Sequence, residues 1–210
     1  MGIDQSAIQD IIDVARRLDD KGLVNAFEGN ISIKRDGYLY ITPSGKSKVT
    51  LTPEKICVFN EAGEQVNGIY GPSSELKMHR AVYEMRENIG GIVHAHPPFM
   101  TAYEMCGKPI ESRCNAEMIW DHKVIEVVPY GRPGSDDIYA GCKPILDKGR
   151  DIMLLSNHGV LSVGNDVFAA LNKLESCENA AKILTLAKFV GDGKYADLQD
   201  EEVELLLSLD

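Results

Sequence analysis

What this sequence lacks narrows it before any motif is read. It has no CxxC pair, and its five cysteines are an odd number. That pattern suits reduced thiols filling small core positions and excludes a disulfide framework or a cysteine-rich structural zinc site. No apolar run approaches the roughly 20 residues needed to span a bilayer. The stretch from Met1 to Asp10 has neither the cationic start nor the apolar segment of a secretory leader. A cytoplasmic protein with no membrane association is expected. A basic stripe is missing too: 22 Lys and Arg against 32 Asp and Glu leave a net charge of −10, which argues against nucleic-acid binding. An anionic small molecule would need a local nest of donors rather than a positive global field. Repeats, low-complexity tracts and linkers are absent as well, so no domain boundary is expected.

What is there suits one globular domain over 1–210, with 44% hydrophobic and 26% charged residues and length enough for a full core. Ile8, Ile11, Ile12, Ala15 and Leu18 recur at helical spacing and predict a helix near 4–21, closed by Gly22. Ile31-Ser32-Ile33 and Tyr38 to Ile41 read as strands joined by an Asp36-Gly37 hairpin turn. A strand near 56–59 follows, then a helix with Leu76, His79, Val82, Tyr83 and Arg86 on one side. Further strands are expected at 91–93, 124–128, 151–155 and 160–163, and helices at 99–105 and 136–146. Asp166 then caps a long helix with Ala170, Leu174, Cys177, Ala181 and Leu184 along one face. The alternation predicts an α/β layered domain, and the hairpins predict a mixed rather than wholly parallel sheet.

His94-Ala95-His96, after Gly91-Ile92-Val93 and before Pro97-Pro98, is the most telling stretch. Residues two apart on a strand share a face, so both imidazoles project together, and two on one face make half of a tetrahedral metal site. Two imidazoles without partners would be costly core filler. His158, in Asn157-His158-Gly159 between two strands, reads alone as a turn histidine and beside the pair as a third ligand. Three histidines with an open fourth position make a catalytic rather than a structural site. Glu75, after Ser73-Ser74 in a first helical turn, is either a carboxylate favoured by the helix dipole or a fourth ligand and general base. His79, one turn on, is a rival ligand or an outer partner, and the latter is preferred; His122 reads as a solvated surface residue. Gly29-Asn30, Ser44-Gly45 and Ser73-Ser74 are small donor-rich pairs at element boundaries, each ordinary turn chemistry alone and together a nest for a dianion. Lys46 either adds charge there or is a plain loop lysine.

The motifs Gly29-Asn30-Ile31-Ser32, Ile41-Thr42-Pro43-Ser44-Gly45, Pro72-Ser73-Ser74-Glu75, His94-Ala95-His96 and Asn157-His158-Gly159, in this order, resemble the class II aldolase/epimerase family in its L-fuculose-1-phosphate aldolase branch. The resemblance covers about residues 5–190. It implies a three-layer α/β/α fold with a mixed, mostly antiparallel sheet, assembled as a homotetramer. It implies zinc held by His94, His96 and His158, with Glu75 a displaceable ligand that becomes the catalytic acid/base; manganese or another divalent ion also suits this donor set. Asn30, Ser44, Gly45, Ser73 and Ser74 match the phosphate-binding positions, so a phosphorylated sugar is the implied substrate. The implied reaction is reversible cleavage of a ketose 1-phosphate to dihydroxyacetone phosphate and an aldehyde. Two positions depart from the branch: its tyrosine downstream of the HxH falls at Asn115, and the tail Gln199 to Asp210 has no tyrosine, the last being Tyr195. A related ketose such as 5-deoxyribulose 1-phosphate therefore stands beside fuculose 1-phosphate. Glu117 and Tyr139 are candidates for the second proton-transfer group, without a motif behind either.

Three other readings are open. A sugar-phosphate 4-epimerase on this fold would typically carry aspartate where Glu75 stands. A ketose-1-phosphate dehydratase would share the need for a metal-stabilised enolate. A non-catalytic interaction module would be expected to have lost ligands, whereas all three histidines and Glu75 are in place.

Overall fold

Helix α1 (Gln5–Asp20) forms where the isoleucine spacing demands it. Asp4 caps it by accepting from Ser6 N at 2.8 Å, and Ile8, Ile11, Ile12, Ala15 and Leu18 are all buried. The computed structural model describes residues 2–121, 124–132, 135–194 and 196–208; His122 and Tyr195, singled out above, lie outside the described residues. Strands β1 (Asn30–Arg35) and β2 (Tyr38–Ile41) make the expected hairpin. Asp36 and Gly37 both take positive φ, 52° and 79°, as a two-residue turn requires. Next come β3 (Cys57–Phe59), β4 (Gln65–Asn67), α2 (Leu76–Met85), β5 (Gly91–Ala95) and α3 (Pro98–Met105). They are followed by β6 (Ile110–Glu111), α4 (Ala116–Asp121), β7 (Val124–Ile125) and β8 (Val127–Val128). The last part of the chain supplies α5 (Asp137–Ala140), α6 (Cys142–Asp147), β9 (Ile152–Leu155), β10 (Gly159–Gly164), α7 (Val167–Val190) and α8 (Asp200–Ser208).

Eight strands form one sheet in the order β4-β3-β2-β1-β5-β10-β9-β8, antiparallel throughout except for β8 beside β9. Alternate side chains pack into two layers. Ile31, Ile33, Val93, Ala95 and Val160 face α1 and α7, while Ile92, Met153, Leu161 and Val163 face α2, α5 and α6. The result is the layered α/β domain with a mixed sheet expected from the alternation and hairpins, in the three-layer α/β/α form that the resemblance implies, with its central strands buried on both faces.

Three expectations change. The helix at 136–146 is two short helices meeting at Gly141. Pro144 explains the break, because proline has no N–H and fits only a first turn, which a restart at Cys142 provides. The strand at 124–128 is divided at Glu126: β7 pairs with β6 in a separate small sheet, and β8 joins the large one. Strands β4 and β6 and helices α4 and α8 have no counterpart in the sequence reading. Asn115 proves to be a cap of α4, its Oδ1 accepting from Met118 N at 2.7 Å.

Lys48 is a burial that composition does not reveal. Its side chain is 2% exposed, with Nζ reaching Lys46 O at 3.5 Å. Burial lowers its pKa from 10.5 to about 8 against the opposing pull of Asp19 and Glu28. Between those two values the unfolded chain binds the extra proton, so stability rises with pH across that window and is least where Lys48 is charged in both states. Lys48→Met, of similar shape without the charge, is expected to stabilise the protein at pH 7 by about 1–3 kcal/mol. Denaturant midpoints at pH 7 and pH 10 check it: the variant's advantage should shrink at the higher pH.

Candidate metal centre and active site

The site is built on β5 and its two neighbours. Asn30 of β1 pairs opposite His94 on one side, and Leu161 of β10 pairs opposite it on the other. Alternation puts His94 with Ile92 on the α2 side of the sheet, and His96 follows just past the strand end. His158 arrives in the turn between β9 and β10, where Asn157 takes φ 55°. A Cβ on the next residue, Gly159, would stand 2.7 Å from Ala95 O, 3.2 Å from His96 Cδ2 and 3.3 Å from His94 Cε1. The absence of a side chain therefore lets this turn close on the HxH strand. Gly159→Ala is expected to cost about 1–3 kcal/mol of stability and to weaken cation binding, since β5 and the turn must part; thermal unfolding with and without zinc tests both effects.

Two carboxylates that no sequence pattern flagged hold the turn in place. Glu104 of α3, 2% exposed, accepts from the Asn157 N–H. Glu178 of α7 accepts from Phe99 N and Met100 N, each at 2.9 Å, which fixes the start of α3. Burial raises both carboxyls, and these backbone donors oppose it.

His94, His96 and His158 offer nitrogens that all lie within 4.8 Å of one another. His94 Nε2 and His96 Nε2 are 3.2 Å apart, close to the roughly 3.4 Å separating two nitrogens that ligate one tetrahedral zinc. His94 Nδ1–H donates to Val160 O at 3.0 Å, which fixes the tautomer and leaves Nε2 bare toward the cluster. Burial pushes His94 down to about 3 and lowers His96 as well, so the neutral, ligating form is favoured. Glu28 Oε2 lies 4.0 Å from His96 Nδ1, on the far side of that ring. Three imidazoles with a carboxylate alongside fit a divalent cation.

Glu75 is the N-cap residue of α2 rather than part of its first turn, and its side chain makes no capping bond. It points at the histidines instead: Oε1 is 3.0 Å from His158 Nε2 and Oε2 is 3.4 Å from His94 Nε2. Asn30 Nδ2 donates to Oε2 at 2.6 Å. Burial alone would raise this carboxyl, but His94, His158 and Asn30 outweigh it and hold it well below the usual carboxylate range.

The donor-rich loops are zipped together. Pro43 bridges Pro72, Ser44 N donates to Gly71 O at 3.0 Å, and Ser73 N donates to Thr42 O at 3.1 Å. Ser44, Gly45, Ser73 and Ser74 line one cavity of about 250 Å³ together with Asn30, Glu75 and the three histidines. A larger hollow of about 630 Å³ lies between Lys21, Phe99 and Lys182, and none of the three histidines lines it; the chemistry rather than the size marks the site. Lys46 stacks over the Tyr70 ring, Nζ 4.0 Å from its centroid. The Tyr139 hydroxyl donates to Asp136, and neither Tyr139 nor Glu117 lines the cavity. His79 stands behind Asn30, at 2.5 Å.

The sequence profile of the Class II Aldolase and Adducin N-terminal domain matches residues 9–185. An L-fuculose phosphate aldolase of Methanococcus maripaludis is 32% identical over 177 residues, covering 84% of this chain and 94% of that protein. A 5-deoxy-D-ribulose 1-phosphate aldolase of Bacillus thuringiensis is 29% identical over 205 residues, 96% of this chain and 94% of its own. The relatives also include a 3-oxo-tetronate 4-phosphate decarboxylase of Haemophilus influenzae, 28% identical over 90% of this chain and 94% of that one. A solved L-fuculose 1-phosphate aldolase superposes with a TM-score of 0.86 at 29% identity, covering 98% of this chain and 96% of that one.

Proposed function

The chain belongs to the class II aldolase and adducin N-terminal domain family, and from that membership and its three-histidine site we propose that it cleaves a ketose 1-phosphate to dihydroxyacetone phosphate and an aldehyde. The substrate is L-fuculose 1-phosphate or a related deoxypentulose such as 5-deoxyribulose 1-phosphate. One observation carries the reading: three imidazoles, the Glu75 carboxylate and a donor-rich pair of loops share a single cavity.

The substrate phosphate is anchored by Ser44, Gly45, Ser73 and Ser74, with Asn30 beside them. Anchoring the remote phosphate converts binding energy into orientation of the reacting carbons. A divalent cation on His94, His96 and His158, zinc in this reading and manganese as the alternative, supplies Lewis-acid polarisation of the substrate carbonyl, an effect of several kcal/mol. Glu75, ionised in the resting site, takes the proton from the hydroxymethylene carbon of dihydroxyacetone phosphate in the condensation direction while the aldehyde oxygen gains one. In cleavage the C4 hydroxyl gives up a proton as the C3–C4 bond breaks, and Glu75 delivers one to the enediolate carbon. Its glutamate identity favours the aldolase over an epimerase.

Assembly as a homotetramer is part of the reading. Ile183, Leu186, Phe189 and Val190 give α7 an exposed apolar end, with Phe189 84% exposed, the kind of patch that marks an interface. None of the five cysteines is in a disulfide, which suits a reducing cytoplasm. Among the described residues no helix is long and apolar enough to cross a membrane.

The deciding experiment is a screen of ketose 1-phosphates with coupled detection of dihydroxyacetone phosphate. Release of dihydroxyacetone phosphate from one of them is the expected result. Epimerised or dehydrated product, or carbon dioxide from a 3-oxo acid phosphate, would reassign the reaction while keeping the scaffold.

A further inference from the structure

Behind Glu75 runs a line of buried polar side chains that the reaction above leaves unused. His79 of α2 is fully buried, and Ser32 of β1 is too. His79 Nε2 lies 2.5 Å from Asn30 Oδ1, His79 Nδ1 lies 2.6 Å from Ser32 Oγ, and Ser32 Oγ lies 2.9 Å from Tyr83 Oη. Asn30 Nδ2 in turn donates to Glu75 Oε2 at 2.6 Å.

The direction of every bond in this line follows from its first member. An ionised carboxylate accepts, so Asn30 must present its amino group to Glu75 and its oxygen to His79. That oxygen accepts, so the ring carries its proton on Nε2 and leaves Nδ1 bare. Ser32 then gives its single hydroxyl hydrogen to Nδ1, and Tyr83 donates to the Ser32 oxygen. Each donor has one acceptor, and reversing any link sets two acceptors or two donors face to face. A carboxamide flips between two nearly isosteric states, so by itself Asn30 has no steric reason to choose one. The Nε2–H of His79 holds it in the state that the carboxylate selects.

We infer that His79, backed by Ser32 and Tyr83, is a positioning residue of the site: its Nε2–H holds the Asn30 oxygen, so that the Asn30 amino group keeps the Glu75 carboxylate facing the three histidines. It touches neither substrate nor cation and acts through Asn30. The inference rests on the reading of Glu75 as the proton-transfer group, and it makes Asn30 a shared donor, facing Glu75 on the wall of the same cavity that the phosphate loops line.

Two measurements on the full-length protein test it. In the first, ¹⁵N-histidine NMR of the unsubstituted protein should show His79 as the Nε2–H tautomer with a bare Nδ1; the opposite tautomer, or a mixture of both, overturns the proposal without any variant having to fold. The second follows exchange of the carbon-bound hydrogen of dihydroxyacetone phosphate into D₂O with zinc-loaded protein. His79→Phe should slow exchange by about 10–100-fold at unchanged zinc content, and His79→Gln, whose amide can donate to Asn30 and accept from Ser32, should return it to within about threefold of the parent. A phenylalanine variant as fast as the parent, or a glutamine variant as slow as the phenylalanine one, overturns it. If the parent itself exchanges no hydrogen, the aldolase reading fails, and the tautomer decides the positioning role on its own.

Discussion

Glu75→Gln is expected to lower kcat for aldol cleavage by about 10²–10⁴-fold, the range a positioned acid/base group contributes, while the protein still binds about one divalent ion per chain. Glutamine matches the carboxylate in shape and can still meet His158 and Asn30, but it cannot take a proton. Zinc analysis beside steady-state kinetics separates the two effects. Hydrogen exchange at dihydroxyacetone phosphate should fall in parallel with turnover, because both need the same proton removed. A variant that keeps exchanging would place the base elsewhere in the cavity. The low pKa of Glu75 sets the pH behaviour: burial raises it, but His94, His158 and Asn30 together push it further down. The carboxylate is therefore the form present at neutral pH, ready to take a proton.

Stripping the divalent ion is expected to abolish cleavage altogether and to lower thermal stability at once. Three imidazoles gathered within 4.8 Å converge only in the folded chain, so the ion binds the native state and stabilises it by about 2.7 kcal/mol at a free concentration one hundred times its Kd. Treatment with a chelator followed by unfolding scans should show the drop, and added zinc or manganese should restore both melting temperature and turnover. Full activity after complete removal would overturn the role of the triad.

Much of this architecture was legible in the sequence where one element's own pattern determines the outcome. The isoleucine spacing of α1, the Asp166 cap of α7 and the Asp36-Gly37 turn are local, and local rules suffice for them. The HxH pair was legible because alternation on a buried strand assigns both rings to one face. What stayed hidden depends on partners. Glu126 separates β7 from β8 because the two segments find different neighbours, β6 and β9. Glu104 looks like an ordinary helix residue until the Asn157 turn is laid against it. Ser32 sits among isoleucines as a polar interruption, and its purpose emerges only when His79 is brought over it by the packing of α2 on β1. The i, i+4 spacing of His79 and Tyr83 was the one available hint.

The pairing of β5 has a consequence for how the protein comes to be native. His94 faces Asn30 across one ladder and Leu161 across the other, and sliding either ladder by a single residue turns its inward side chains outward. A mis-threaded chain thus forfeits the third imidazole or the Asn30 tether outright rather than by degrees. The nascent polypeptide holds just the His94/His96 pair, with its remaining ligand far along the chain, and such distant partners meet late. In refolding followed by stopped flow, tight zinc uptake should therefore lag the recovery of helical signal, making the cation a checkpoint that is passed when the threading is right.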